Sequence, residues 1–193
     1  MILCVTLNPL VDTTFFVDEF RAVYRTNARR IAHVAGGKGN NVARALVCMG
    51  QPARAFTLLG GTAGRHLSDL LDADGADKAV VWVSGETRVS ITAVDRDHEQ
   101  RGYWAPAEPF LESDAAAVRQ RFPGALDGVQ AMCICGSSPH PMADSLYPEL
   151  LSAAAGRGIP TLLDTYGEAL RLGLKASSTV VKINRQEAAA WLG

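Results

Sequence analysis

The feature that most constrains this chain is an alternation. Short apolar runs at residues 2–7, 53–59, 131–135, 160–163 and 179–182 alternate with stretches at 41–49, 65–74, 113–122, 142–155 and 185–192, whose apolar residues recur every three or four positions. A run of four to seven apolar residues is the length of a strand buried on both faces, and three- and four-residue spacing lines one face of a helix. Strands that alternate with helices predict a mostly parallel central sheet covered by helices on both sides, an α/β fold. Two regions break the rhythm. Residues 13–34 and 87–104 interleave polar and apolar positions, and Ser90-Ile91-Thr92-Ala93-Val94 runs into the turn-like Asp95-Arg96-Asp97-His98. These are expected to be strand pairs forming a small β-sheet lid inserted into one α/β domain that spans 1–193, with no repeat or linker.

Composition agrees with a packed domain, since 48% of residues are apolar and 20% charged. Nineteen basic residues against twenty acidic ones leave a net charge of −1, which gives no long-range pull toward nucleic acid or anionic lipid. No nucleic-acid or membrane partner is expected. The four cysteines lack the paired spacing of a zinc site and read as buried thiols of a reducing compartment. No apolar run approaches the roughly 20 residues of a membrane span, and the short run at 2–5 lacks the basic start of a signal peptide. A cytoplasmic setting is expected.

The sharpest local signal is Ala35-Gly36-Gly37-Lys38-Gly39-Asn40-Asn41-Val42-Ala43-Arg44, a glycine-rich turn opening a helix. Glycines let backbone N–H groups approach a ligand, a helix N-terminus favours negative charge, and a lysine adds a full positive charge. The chemistry is anion binding. Lys38 is not followed by Ser or Thr, so the turn is not a Walker A loop. Upstream stands Thr6-Leu7-Asn8-Pro9-Leu10-Val11-Asp12. Downstream come Leu59-Gly60-Gly61-Thr62-Ala63-Gly64, Thr87-Arg88-Val89-Ser90, Cys135-Gly136-Ser137-Ser138-Pro139, Leu163-Asp164-Thr165-Tyr166-Gly167-Glu168 and Lys182-Ile183-Asn184-Arg185-Gln186-Glu187.

In that order these motifs resemble the ribokinase/phosphofructokinase-B sugar kinases, closest to the 1-phosphofructokinase and tagatose-6-phosphate kinase branch. The resemblance implies a ribokinase-like fold and a substrate side formed by Asp12, Gly37, Lys38, Asn41, Arg88 and Ser137. A carboxylate at Asp12 suits sugar hydroxyls, because it only accepts hydrogen bonds, and the fork of Arg88 suits a phosphate. Cys135 and Ser138 depart from the family's Ser-Gly-Ser-Leu-Pro, so only Gly136, Ser137 and Pro139 carry over. The resemblance also implies a nucleotide and magnesium side at Asp164, Lys182, Asn184 and Glu187, with Glu187 meeting the metal through water. Asn184 and Glu187 have the spacing of a helix capping box too, and the two roles are compatible.

ATP and Mg2+ are therefore the implied cofactors. The implied reaction transfers phosphate to a phosphorylated ketohexose, fructose 1-phosphate first, with tagatose 6-phosphate and fructose 6-phosphate as other acceptors. No catalytic residue is assigned in this chain: the family's base lies in a Gly-Ala-Gly-Asp motif expected beyond Gly193, so the chain by itself is expected to be inactive. A reading of another class is a non-catalytic phosphosugar-binding protein.

Other features are expected to be structural. Asp72-Ala73-Asp74-Gly75-Ala76-Asp77 has its glycine too early for a calcium loop and reads as a solvated turn. The four histidines show no metal spacing. Trp104, beside Tyr103, is expected to pack within the lid rather than stack on a sugar. Phe15, Val17 or Ile91 on the lid's outer face are expected to meet a second subunit in a homodimer, and Val180, Ile183, Ala189 and Trp191 to leave apolar surface at the chain's end.

Overall fold

A computed structural model describes residues 1–20, 25–106, 108–176 and 178–192. The central strand is β1 (Ile2–Thr6), whose Leu3, Cys4 and Val5 have no exposed surface. It pairs in parallel with β4 (Ala53–Leu59) on one side and with β8 (Ala131–Cys135) on the other. The sheet extends through β5 (Asp77–Trp82) beyond β4, and through β9 (Thr161–Asp164) and β10 (Val180–Val181) beyond β8. Its order is β10-β9-β8-β1-β4-β5, every pairing parallel. The order runs outward in both directions from β1, and the carboxyl ends of β1 and β8 thus flank a topological switch point, the place where ligands lie in such sheets.

Side-chain alternation along β1 splits the core in two. Leu3 and Val5 join Phe56, Met132 and Ile134 under α3 (Glu112–Ala125) and α4 (Leu146–Ala155). Cys4 turns to the opposite face, with Ala55, Leu67 and Leu71, under α1 (Lys38–Cys48) and α2 (Gly61–Ala73). Neither α5 (Gly167–Gly173) nor β5 stands among the runs read from the sequence. β5 opens on the charged Asp77 and Lys78, ahead of the short apolar stretch 79–82, and α5 is only two turns long. The last helix, α6 (Arg185–Leu192), lies where its spacing predicts.

The lid is a second sheet of order β3-β2-β6-β7, built from β2 (Leu10–Phe16), β3 (Arg30–Gly36), β6 (Arg88–Val94) and β7 (Gln100–Trp104). The pairs β2–β3 and β6–β7 are antiparallel as expected, but β2 and β6 join the two hairpins in parallel. The expected segment 13–34 includes residues 21–24, which lie outside the described residues. Register assigns the two faces. Val11, Thr13 and Phe15 share one face with His33, Ile31, Ile91 and Tyr103, and this face rests on α2, where the rings of His33 and His66 are 5.1 Å apart. Asp12 and Thr14 share the other face with Arg88, Ser90, Thr92, Gly102 and Trp104.

Three side chains differ from expectation. Val17 is buried at the end of β2, where its N–H donates to Val94 O at 2.9 Å, so it is not available to a second subunit. Cys48 is exposed on the outer face of α1, whereas Cys4, Cys133 and Cys135 are buried. Trp104 lies over Gly102 on the lid but is not enclosed there: it is 64% exposed. At the chain's end Val180 and Val181 are exposed while Ile183 packs against the core, and the side chain of Trp191 lies outside the described residues.

The ring of Phe56 has no exposed surface and meets Phe122 edge-on at 5.3 Å, linking the sheet to α3. Phe56→Ala should lower unfolding free energy by roughly 3–5 kcal/mol in chemical denaturation, the range for an aromatic cavity that cannot collapse. A loss below about 1 kcal/mol would show that the sheet does not depend on this contact.

Candidate active site

Crowding at the first strand's end creates the site. Gly37 has φ 107° and Gly39 sits so close to β1 that a Cβ there would come within 2.5 Å of both Thr6 Oγ1 and Val5 O. A side chain at either position would push α1 off the strand; glycine brings the helix N-terminus onto the switch point. Asn40 fastens the turn from within, donating from Nδ2 to Gly36 O at 2.9 Å. Asn41, predicted as a substrate contact, is exposed on the first turn, where its Oδ1 accepts from Arg44 at 3.4 Å.

Lys38, the first residue of α1, donates from Nζ to Asp164 Oδ1 at 2.9 Å and lies 3.9 Å from Glu187 Oε1. Lys182 approaches the other oxygen, Asp164 Oδ2, at 3.3 Å. Asp164 is nearly buried, so its charge is balanced by two ammonium groups that keep contact with water. Burial pulls the Lys38 ammonium down, but the hydrogen bond and charge of Asp164, with Glu187 behind them, outweigh burial and hold its pKa above the ordinary lysine value. The residues read as substrate side and nucleotide side thus meet at one ion cluster.

Glu187 forms the expected capping box. Asn184 N donates to Glu187 Oε2 at 2.8 Å and Glu187 N donates to Asn184 Oδ1 at 2.8 Å, a reciprocal capping box at the start of α6. The remaining oxygen, Oε1, faces Lys38.

Across the switch point, Ser137 follows β8. Its Oγ accepts from Asn8 Nδ2 at 2.9 Å, and Asn8 also reaches Ser138 O at 3.3 Å. The carbonyl of Asn8 accepts from Arg88 Nη2 at 3.4 Å. Asn8 thereby ties the loops after β1 and β8 to the root of the lid. It stood inside the quoted motif, but sequence has no means of pairing it with a serine 129 positions away. Tyr147 was not foreseen at all. Its buried hydroxyl donates to Gly136 O at 3.2 Å, and burial pushes the phenol's pKa up, so the hydroxyl stays a donor that steadies the Gly136 turn.

Asp12 lies at the middle of β2 opposite Ser90, whose Oγ donates to Asp12 Oδ1 at 2.9 Å. Its second oxygen has acceptor capacity to spare. Arg88 begins β6 on the same face. Its Nε is buried without a hydrogen-bond partner among the described residues, and burial lowers its pKa from the ordinary arginine value. A half-buried guanidinium whose buried Nε is idle is a costly arrangement in a folded chain unless an acceptor completes it.

The chain as a whole is similar to known proteins. Residues 2–193 match the model of the pfkB family carbohydrate kinases. The chain belongs to the pfkB family. A solved structure from Thermotoga maritima, described as a possible 1-phosphofructokinase, is 29% identical with a TM-score of 0.85, covering 96% of this chain and 61% of that one. Escherichia coli phosphofructokinase-2 in complex with fructose-6-phosphate is 28% identical with a TM-score of 0.84, covering 99% of this chain and 63% of that one. Its tetrameric inhibited form aligns equally well, at 28% identity and a TM-score of 0.84 over 98% of this chain and 62% of that one. This pfkB chain therefore spans a little over three-fifths of the length of those structures, and its α/β sheet with a β-sheet lid is the ribokinase-like arrangement.

The capping box predicts a separation of effects. Asn184→Ala should cost about 0.5–2 kcal/mol of stability, read from the denaturation midpoint, by leaving the first turn of α6 uncapped. Glu187→Gln, which can keep the cap, should change the midpoint by less than about 0.5 kcal/mol. Equal losses from the two variants would mean that the Lys38 contact, rather than the cap, orders this helix.

Proposed function

We propose that this chain carries the sugar-binding part of an ATP-dependent sugar-phosphate kinase whose acceptor is a phosphorylated ketohexose, fructose 1-phosphate first and fructose 6-phosphate or tagatose 6-phosphate next. One observation carries the reading: on a single face of the lid, a carboxylate with free acceptor capacity, Asp12, stands two rows from a half-buried guanidinium with an idle Nε, Arg88. A sugar phosphate presents hydroxyls to the first and an anion to the second. A nucleoside or free sugar would leave Arg88 unanswered.

In this reading Arg88 and the N-terminus of α1 hold the phosphate already on the substrate, and Asp12, fixed by Ser90, orients the sugar by its hydroxyls. Ser137 and Asn8 close the floor between β1 and β8. Lys38 is assigned a linking role, because it is held by Asp164 and Glu187 and can pass charge between the sugar and the nucleotide ends of the cleft. Phosphoryl transfer rests on such positioning and charge stabilisation more than on covalent chemistry by the protein.

The donor set also fits a nucleotide-borne magnesium. Among the described residues no three metal-ligating side chains converge; of the two carboxylates beside Lys38, Asp164 is engaged by two lysines and Glu187 Oε1 lies farther off, at 3.9 Å. Magnesium keeps several waters and takes one or two protein carboxylates together with substrate phosphates, so Glu187 would hold it through water, beside Asn184. When bound, ATP and magnesium supply the phosphoryl group and neutralise its developing charge. The lid's far face, with Ile31, Val89, Ile91 and Tyr103 exposed, is assigned to a homodimer contact.

Arg88→Ala should weaken fructose 1-phosphate binding by roughly ten- to a hundred-fold in calorimetry, the loss of a charge-assisted contact, with little effect on free fructose. Lys38→Ala should act in the same sense. Asp12→Asn should weaken both ligands alike. Equal losses for the two ligands in Arg88→Ala would sink the phosphate assignment.

A further inference from the structure

Among the described residues, Trp104 is the exposed large apolar side chain that the lid carries on the face turned to the cleft, where Leu10, Phe16, Val34 and Val94 are half-buried. Trp104 pairs with Ser90, and Ser90 pairs with Asp12, so the three occupy one row across β2, β6 and β7 and point to the same side. Side chains directly opposite in such rows lie about 5 Å apart at Cβ. The indole is nevertheless 64% exposed, so neither the lid nor the main sheet covers it. It is also seated. A Cβ on Gly102 would stand 2.5–3.3 Å from the indole's Cη2, Cζ3 and Cζ2, which means the ring lies back over Gly102 and needs glycine there. Gly102 is opposite Thr92 in the next row of the same face. The six-membered ring therefore extends along the inner surface of the lid from the row of Asp12 toward its tip.

From this we infer that Trp104 is a specificity-determining platform on which the sugar of the phosphosugar rests, its carbon face against the indole while its hydroxyls reach Asp12. The inference builds on the phosphosugar reading above. Sites for amphipathic ligands combine an aromatic wall with a few fixed polar groups, and here the wall, a carboxylate braced by Ser90 and the guanidinium of Arg88 share one surface. A second copy of the chain is the weaker occupant, because the continuous apolar patch of Ile31, Val89, Ile91 and Tyr103 lies on the opposite face of the lid. An indole contact is indifferent to the phosphate, so it should raise affinity for the sugar portion alone.

The test measures dissociation constants of fructose 1-phosphate, fructose 6-phosphate and inorganic phosphate by calorimetry, with association state from sedimentation. Trp104→Ala should weaken both sugar phosphates by roughly ten-fold and leave inorganic phosphate unchanged, whereas Trp104→Phe should stay within about three-fold of the native protein. Gly102→Ala keeps the tryptophan but displaces the ring, and should reproduce the Trp104→Ala pattern; it decides the question if Trp104→Ala does not fold. Unchanged sugar-phosphate affinity in these variants overturns the inference, including the case in which Trp104→Ala only alters association. A parallel loss for inorganic phosphate overturns it as well. If the native protein binds neither sugar phosphate, the phosphosugar reading falls and takes this inference with it, an outcome distinct from failure of the variants alone.

Discussion

The arrangement rests on a backbone contact that only glycine permits, the seating of Gly37 and Gly39 against Thr6 and Val5 at the end of the first strand. Because α1 starts there, its positive end faces the switch point, and Lys38 is delivered across the cleft to Asp164. The lid is fixed by the same contact. β2 leaves the main sheet at Leu10, β3 returns at Gly36, and these two residues are register partners, so the lid hairpin is pinned where the helix begins. A Cβ on Gly36 would meet Leu10 O at 2.8 Å, which closes the same junction from the lid side.

Charge in the cleft is arranged in two blocks. Around Asp164, two lysines and Glu187 balance one another, and their contacts join the start of α1 to β9 and α6, far away in sequence. Such a cluster adds little stability where its lysines meet water, but it fixes where the ammonium of Lys38 lies. Among the described residues Arg88 has no carboxylate in an ion pair with it. Its nearest described acceptor is a backbone carbonyl at 3.4 Å, which holds the guanidinium in place without cancelling its charge. A site that must take an anion on one side and hold charge balance on the other is served by this asymmetry.

The two faces of the lid divide the remaining work. One rests on α2 at its base and shows an apolar patch at its tip; the other presents Asp12, Ser90, Arg88 and Trp104 to the cleft. Trp104 illustrates how a local reading can mislead. In sequence it stands next to Tyr103 and reads as packing, but neighbours in a strand point to opposite faces, and only the register shows that one of them joins the polar row.

By itself the sequence determined the α/β class, five strands of the main sheet to within a residue or two, the lid segments and the identity of nearly every residue now found around the cleft. Those signals are local: apolar period, glycine clusters, and motifs of a few residues. It missed β5, half of whose first four residues are charged, and α5, which is too short for periodicity to register. What tertiary structure alone decided were the partnerships. That Lys38 meets Asp164 across 126 positions, that Asn8 meets Ser137 across 129, that β2 and β6 run parallel, and that Trp104 faces the cleft all depend on strand order and register. Those follow from how the sheets and helices pack together, a sum of many weak long-range contacts that no single stretch of sequence contains.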